Sequence, residues 1–269
     1  MRVSYHTFLF LNDVDLPFAI DGNKKVESWL NLFAQSIESI KSWSDDYEVD
    51  IFVHSDTELD EFKCKSNLVL HDDGKFVDKL LQVRLFIQHH LNREYDTYIM
   101  SEADLGWRQE TLEYFEEHND KLWSERTLLG MFRVENTDYK NPLDYNGNKI
   151  DLSNRQLLTF SDDTKWHWSD LDCKRPAVPL IRWEKNKEYW TWREPTYRGS
   201  WIYSQEQLDY YMESKLWDNP PLDLYEQVES HTIGMNDPRH GVFNKSLIPL
   251  VDGKFDSRSR IIHYGQHEW

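Results

Sequence analysis

Along the first 135 residues, apolar blocks alternate with amphipathic ones in the order strand, helix, strand, strand, helix, strand. Residues 2–11 are aromatic and branched with no helical period, which predicts a strand buried on both faces and closed by the turn pair Asn12-Asp13. Over 24–43, Val26, Trp29, Leu30, Phe33, Ile37 and Ile40 recur at three- and four-residue spacing, so this stretch predicts an amphipathic helix. Strands follow at 49–54 and 67–70, leaving through Ser55-Asp56 and His71-Asp72-Asp73. Residues 75–91 set Phe76, Leu80, Val83, Ile87 and Leu91 on one helical face, and 96–100 returns to a buried strand. A helix at 110–123 and a strand at 128–135 complete this half.

Strands so apolar, separated by helices and polar at each exit, predict an α/β fold: a Rossmann-like, mostly parallel central sheet flanked by helices. Such sheets bind ligands at the carboxyl ends of their strands. The exit richest in chemistry is Ser101-Glu102-Ala103-Asp104-Leu105-Gly106. In an extended chain Glu102 and Asp104 point to the same side, where both reach one hard cation through oxygen. Carboxylates there would equally suit the start of a helix near Arg108, and the residues alone leave both readings open.

From 136 to 193 the chain is loop-rich, with Asn-Pro, Asn-Gly and Asp-Asp pairs around short apolar runs such as 157–160. Long ordered loops in compact domains tend to be functional, which suggests an acceptor region. Ser204 stands in a capping-box relation to Gln207 and opens a helix over 204–215. Residues 224–235 read as another helix, with Glu226 and Glu229 at i and i+3, and 260–264 as a closing strand. The cluster Tyr189, Trp190, Trp192, Tyr197 and Trp201 reads as a sugar-stacking wall or as an aromatic core beneath the loops.

The net charge of −17 repels nucleic acid and anionic lipid, so a bound polyanion requires a basic pocket or a divalent cation between them. Cys64 and Cys173 are far apart and lack metal spacing, which suggests free thiols in a reducing compartment. The first residues do not form a signal peptide and no apolar run approaches membrane-spanning length, so a soluble, cytoplasmic protein is expected. There is no G-x-G-x-x-G after the first strand and no P-loop motif, which disfavours dinucleotide oxidoreductases and P-loop enzymes.

Four stretches, in order, resemble nucleotide-sugar glycosyltransferases of the GT-A fold. They are Ser101-Glu102-Ala103-Asp104 in the place of the D-x-D motif, Gly130-Met131-Phe132-Arg133-Val134-Glu135, Glu229 before Ser230-His231-Thr232-Ile233-Gly234-Met235, and His263. The chain is also similar to the small soluble transferases of large algal viruses, a xylosyltransferase among them. Glu102 replaces the first Asp of the family's motif.

The resemblance implies a single GT-A-like domain over 1–269, with a nucleotide-sugar half at 1–135 and an acceptor half at 136–269. It implies that Asp104 holds Mn²⁺ or Mg²⁺, that Glu102 assists by binding the metal or the nucleotide ribose, and that His263 is a late metal ligand. Glu229, with Glu226 as its rival, takes the place of the general base in an inverting transfer from a UDP-sugar to a glycan or other hydroxyl acceptor. Asn12 and Asp13 would contact uracil and ribose, Asp56 lies beside His54 and Ser55 at the second exit, and Arg84 would reach the diphosphate. Arg133 and Glu135 would bind acceptor hydroxyls. Each has a structural alternative: a turn residue for Asn12, Asp13 and Asp56, a surface salt bridge for Arg84, an ion pair for Arg133 with Glu135, a solvated helix face for Glu229, and a surface or tail histidine for His263. Two other functions compete. A nucleotidyltransferase would need an early basic Gly-rich loop, which is not present, and a phosphatase-like hydrolase would need an early Asp-x-Asp nucleophile pair. A catalytically inactive carbohydrate-binding protein of the same fold would tolerate the altered motif.

Overall fold

The computed structural model of the chain describes residues 1–9, 23–43, 46–58, 67–71, 76–103, 105–125, 127–135, 157–168, 184–185, 189–192, 200–213 and 246–263. Its first elements are β1 (Arg2–Leu9), α1 (Asn23–Lys41), β2 (Glu48–Ser55), β3 (Asn67–Leu70), α2 (Phe76–Phe86), β4 (Thr97–Glu102), β5 (Leu105–Gly106) and α3 (Gln109–Ser124). Then come β6 (Leu128–Leu129), β7 (Phe132–Glu135), β8 (Leu157–Thr159), β9 (Lys165–Trp168), β10 (Glu184–Lys185) and β11 (Tyr189–Trp192). The last are β12 (Ser200–Ser204), α4 (Gln205–Met212), β13 (Ser246–Val251), β14 (Lys254–Phe255) and β15 (Arg260–His263). They fall into two compact units, the first made of 1–104 with 199–239 and the second of 105–198 with 240–269.

The first unit is a five-stranded sheet in the order β12-β4-β1-β2-β3. β1 pairs in parallel with β2 and β4, β2 in parallel with β3, and only β12 runs antiparallel, against β4. This is the mainly parallel α/β architecture that the alternating blocks predict. β1 lies at the centre, and residues 3–9 are all buried. Successive side chains of a strand point to opposite faces, so one helix is needed on each. Tyr5 Oη lies 3.4 Å from Ser36 Oγ on α1, whose Phe33, Ile37 and Ile40 are buried. The next side chain, His6, meets the ring of Phe86 on α2 edge-on at 6.4 Å.

α2 runs into a wider π-helical turn at Ile87–Leu91, and Arg93 follows with a left-handed φ of 67°. Gln205 holds that turn. Its Oε1 accepts from the Arg93 amide at 2.9 Å and lies 2.6 Å from the Tyr98 hydroxyl. Its Nε2 donates to Asn92 Oδ1 and to Asp209 Oδ1, each at 2.8 Å. Gln205→Ala removes all four contacts from a half-buried site, so we expect a loss of about 1–3 kcal/mol in chemical denaturation. The helix that Gln205 begins has the capping box expected from the sequence: Ser204 Oγ accepts from the Gln207 amide at 3.3 Å, and the Ser204 amide donates to Gln207 Oε1 at 3.0 Å.

The second unit contains two sheets, β10-β11-β13-β14 with β6 on β13, and β5-β15-β7-β9-β8. The single strand expected over 128–135 is divided between them. The Gly130 amide donates to Leu247 O at 2.8 Å and its carbonyl accepts from Tyr114 Oη at 2.9 Å, so the chain leaves one sheet there and enters the other. Phe132, Val134, Leu158, Phe160 and Ile248 form the buried core, with Trp166, Leu250 and Phe255 packed against it.

The expected aromatic cluster is split as well. Trp201 sits on β12 in the first unit, fully buried, stacked on Tyr203 at 4.6 Å, and Tyr203 stacks in turn on Tyr211 at 4.6 Å. It is core, as aromatic faces packed in series require. Tyr189, Trp190 and Trp192 form β11 in the second unit, and Tyr197 lies outside the described residues.

Candidate functional site

Parallel strands impose the site's location. From β1 the chain passes to β2 and β3 on one side and returns to β4 on the other, so the strand order reverses between β1 and β4. A crevice opens at the carboxyl ends on either side of such a reversal, and it is the usual ligand site of open α/β sheets. Glu102 is the last residue of β4 and lies in register with Phe8, which lies in register with His54 on β2. Its side chain is half-buried. Ser101 Oγ donates to the Glu102 carbonyl at 3.1 Å.

The β2 exit is tied to β1 by Ser55, whose Oγ donates to Leu9 O at 2.9 Å and accepts from the Thr57 amide at 3.1 Å. Asp56 accepts from Thr57 Oγ1 at 3.3 Å. Both residues therefore shape the turn that fixes the carboxyl edge. Arg84 is 1% exposed on α2, which removes the surface salt-bridge reading for it. His263 is also buried, on β15, opposite Leu105 on β5 and Glu135 on β7, and is neither a surface nor a tail histidine. Arg133, half-buried, lies opposite Ile261 on the same strand pair. Glu102, Asp56 and Arg84 belong to the first unit, His263 and Arg133 to the second. Asn12, Asp13, Asp104, Glu226 and Glu229 lie outside the described residues.

Among the described residues, no three His, Cys, Asp or Glu side chains gather as a metal site would require. Of the expected donor set, Glu102 and His263 are described, and the carboxylate of Glu102 at the carboxyl edge is a hard oxygen donor that fits Mg²⁺ or Mn²⁺. No helix among the described residues is long and apolar enough to cross a membrane.

No protein-family model and no curated protein matches the chain. Solved structures do. CMP:2-keto-3-deoxy-manno-octonic acid synthetase complexed with CTP aligns over 90% of this chain and 88% of its own, at 12% identity and a TM-score of 0.40. S. aureus TarS aligns over 98% of this chain and 36% of its own, at 12% identity and a TM-score of 0.39. Mouse xyloside xylosyltransferase 1, in its apo form, aligns over 50% of this chain and 53% of its own, at 12% identity and a TM-score of 0.29. The chain thus spans about a third of TarS and half of the xylosyltransferase.

One arrangement of polar residues in the first unit escaped the sequence reading, which places His54 and His71 only at separate strand exits. His6 on β1, His54 on β2 and His71 just after β3 stand side by side across three neighbouring strands. His6 Nδ1 is 3.0 Å from His54 Nε2, and His54 Nδ1 is 2.7 Å from His71 Nε2. His71 Nδ1 is 3.1 Å from Gln82 Oε1 on α2. Phe52 stacks on His6 at 4.9 Å, and Phe86 meets His54 edge-on at 5.3 Å. Burial pushes the pKa of His6 down to about 3. That of His54 is also well below the ordinary value, first through burial and then through the two imidazoles beside it. The available signal was one histidine in or just after each of the first three strands.

Proposed function

We propose that the chain is a metal-dependent glycosyltransferase that moves a sugar from a nucleotide donor, a UDP-sugar, to a glycan or other hydroxyl acceptor. The observation that supports it is Glu102 at the carboxyl end of β4, beside the reversal of strand order, followed two residues later in sequence by Asp104. That is where the GT-A resemblance puts the D-x-D motif. Asp104 and Glu102 would hold Mn²⁺ or Mg²⁺. When bound, such a cation offsets the negative charge that develops on the departing nucleoside diphosphate. Ser55 keeps the ends of β1 and β2 together, so the edge that receives the nucleotide is built before the ligand arrives. Glu229 acts as general base, taking the proton of the acceptor hydroxyl as that oxygen attacks the anomeric carbon with inversion.

The test is a thermal-shift screen of nucleoside diphosphates and nucleotide-sugars with and without Mn²⁺, because a ligand that binds the native state alone raises its stability by mass action. At 100-fold saturation the gain is about 2.7 kcal/mol. A UDP-sugar should shift the melting temperature only with metal, and Asp104→Ala should abolish the shift. Glu229→Gln should keep the shift and lower transfer by about 10²- to 10⁴-fold. Absence of a shift with every nucleotide would overturn the transferase reading.

A further inference from the structure

The three histidines make more than a packed row, because the hydrogen bonds fix where each proton sits. A ring nitrogen pair at hydrogen-bond distance needs one donor and one acceptor. An amide oxygen only accepts, so Gln82 Oε1 obliges His71 Nδ1 to carry a proton. In its neutral form His71 then has a bare Nε2, which obliges His54 Nδ1 to donate to it. His54 Nε2 is left bare in turn, and His6 Nδ1 must donate. All three rings are thereby Nδ1–H tautomers pointing the same way, and the row ends on the lone pair of His6 Nε2. That nitrogen is buried and has no hydrogen-bond partner among the described residues.

We propose that His6, His54 and His71 form a coupled tautomer switch, with its polarity set by Gln82, in which one proton taken up from solvent places the charge on His71 and reverses both buried rings. The bonds balance. A hydronium ion in solvent gives up one proton to the row, and in the protonated row His6 carries Nε2–H. The His6 Nδ1–H bond breaks as His54 Nε2–H forms, and the His54 Nδ1–H bond breaks as His71 Nε2–H forms. His71 becomes an imidazolium that donates from Nδ1 to Gln82 and from Nε2 to His54 Nδ1, so every link survives with its direction reversed between the rings. The two fully buried rings stay neutral, and the charge rests on the one ring that reaches solvent.

By charge, the groups acting on His54 are the imidazoles of His6 and His71. On the same face β2 carries Asp50, which accepts from Tyr95 Oη at 2.8 Å, and β4 carries Glu102, in register with Phe8. α2 contributes Gln82, the buried Arg84 and Phe86, and His90 of the π turn packs on the Phe86 ring at 5.0 Å.

Long-range ¹H–¹⁵N correlation of the histidine side chains in the full chain reads tautomer and charge directly. At about pH 8, well above the ordinary histidine pKa, all three should be Nδ1–H. At about pH 5, His71 should be an imidazolium, with His6 and His54 both changed to neutral Nε2–H. A ring in the Nε2–H form at the higher pH would overturn the polarity. An imidazolium on His6 or His54 in the folded chain, or a change in one tautomer without the other, would overturn the switch. Gln82→Leu, read at the higher pH so that acid stability plays no part, should lose the uniform Nδ1–H set. Retention of that set would remove Gln82 from its assigned role.

Discussion

The stability of the first unit should fall by about 2.7 kcal/mol for each pH unit below about 6.5, from His6 and His54 alone. Both have native pKa values below the ordinary one, His6 at about 3 through burial and His54 through burial and then its neighbouring imidazoles. For such a group the unfolded chain binds a proton that the native chain refuses. The stabilisation is therefore complete above the unfolded value of about 6.5 and is lost as the pH falls towards the native one. Each ring contributes a slope of about 1.4 kcal/mol per pH unit, and two rings double it. The full slope acts only down to the native His6 value of about 3, and summed over that window it is comparable with a typical stability of about 5–15 kcal/mol. Urea midpoints measured in steps from about pH 7 to about pH 4 give the slope. His6→Phe, which keeps a flat ring against Phe52, should reduce it by about 1.4 kcal/mol per pH unit whatever its effect on the baseline. An unchanged slope would show that His6 charges in the native chain.

In the second unit the largest single loss is expected at Arg260. Its side chain is 7% exposed, and Nη2 binds Asp162 Oδ2 at 2.6 Å, Nη1 binds Thr164 Oγ1, and Nε donates to Ser257 O at 2.8 Å. The guanidinium also lies over the rings of Phe160 and Trp166, at 4.9 and 5.4 Å. Burial alone would raise the pKa of Asp162, but hydrogen bonds from Thr164 and Arg260 outweigh it and hold the carboxyl below its usual value. Breaking a buried pair by deleting one partner costs about 3–5 kcal/mol. Asp162 can still reach water, since 37% of its side chain is exposed, so Arg260→Ala should cost about 3 kcal/mol. Arg260→Lys keeps the charge without the planar fork and should fall between the two. Equilibrium denaturation measures both, and a loss below about 1 kcal/mol for the alanine variant would mean that the fork contributes little.

The positions of the elements were legible because they follow from period. The helix expected at 24–43 forms at Asn23–Lys41, and the strand expected at 67–70 forms at Asn67–Leu70. The capping box at Ser204 was legible for the same reason, since the motif is local. What period could not show was how neighbouring blocks are partnered. An apolar run across Gly130 reads as one strand until two sheets compete for its two ends. A dense aromatic segment reads as one cluster until Trp201, on the antiparallel edge strand β12, pairs with Met100 of β4 in the first unit. β1 reads as a buried strand from its apolar side chains, so Ser4, His6 and Thr7 pass unremarked, although all three are fully buried. Of the candidate site, the exit at Glu102 was legible as the end of an apolar run, whereas the burial of Arg84 and His263 depends on tertiary packing.

The first unit is built from two segments of chain separated by residues 105–198. β4 pairs with β1 as soon as both have been made, but its other edge waits for β12. At about 5–20 residues per second, the ribosome takes roughly 5–20 s to synthesise that insertion. For that interval a strand ending in Glu102 presents an open row of amide and carbonyl groups, the kind of edge that pairs with other chains. The late arrival of β12 thus makes the nascent chain most vulnerable to aggregation while it is still being translated, and ties completion of the sheet to synthesis of the segment beyond the insertion.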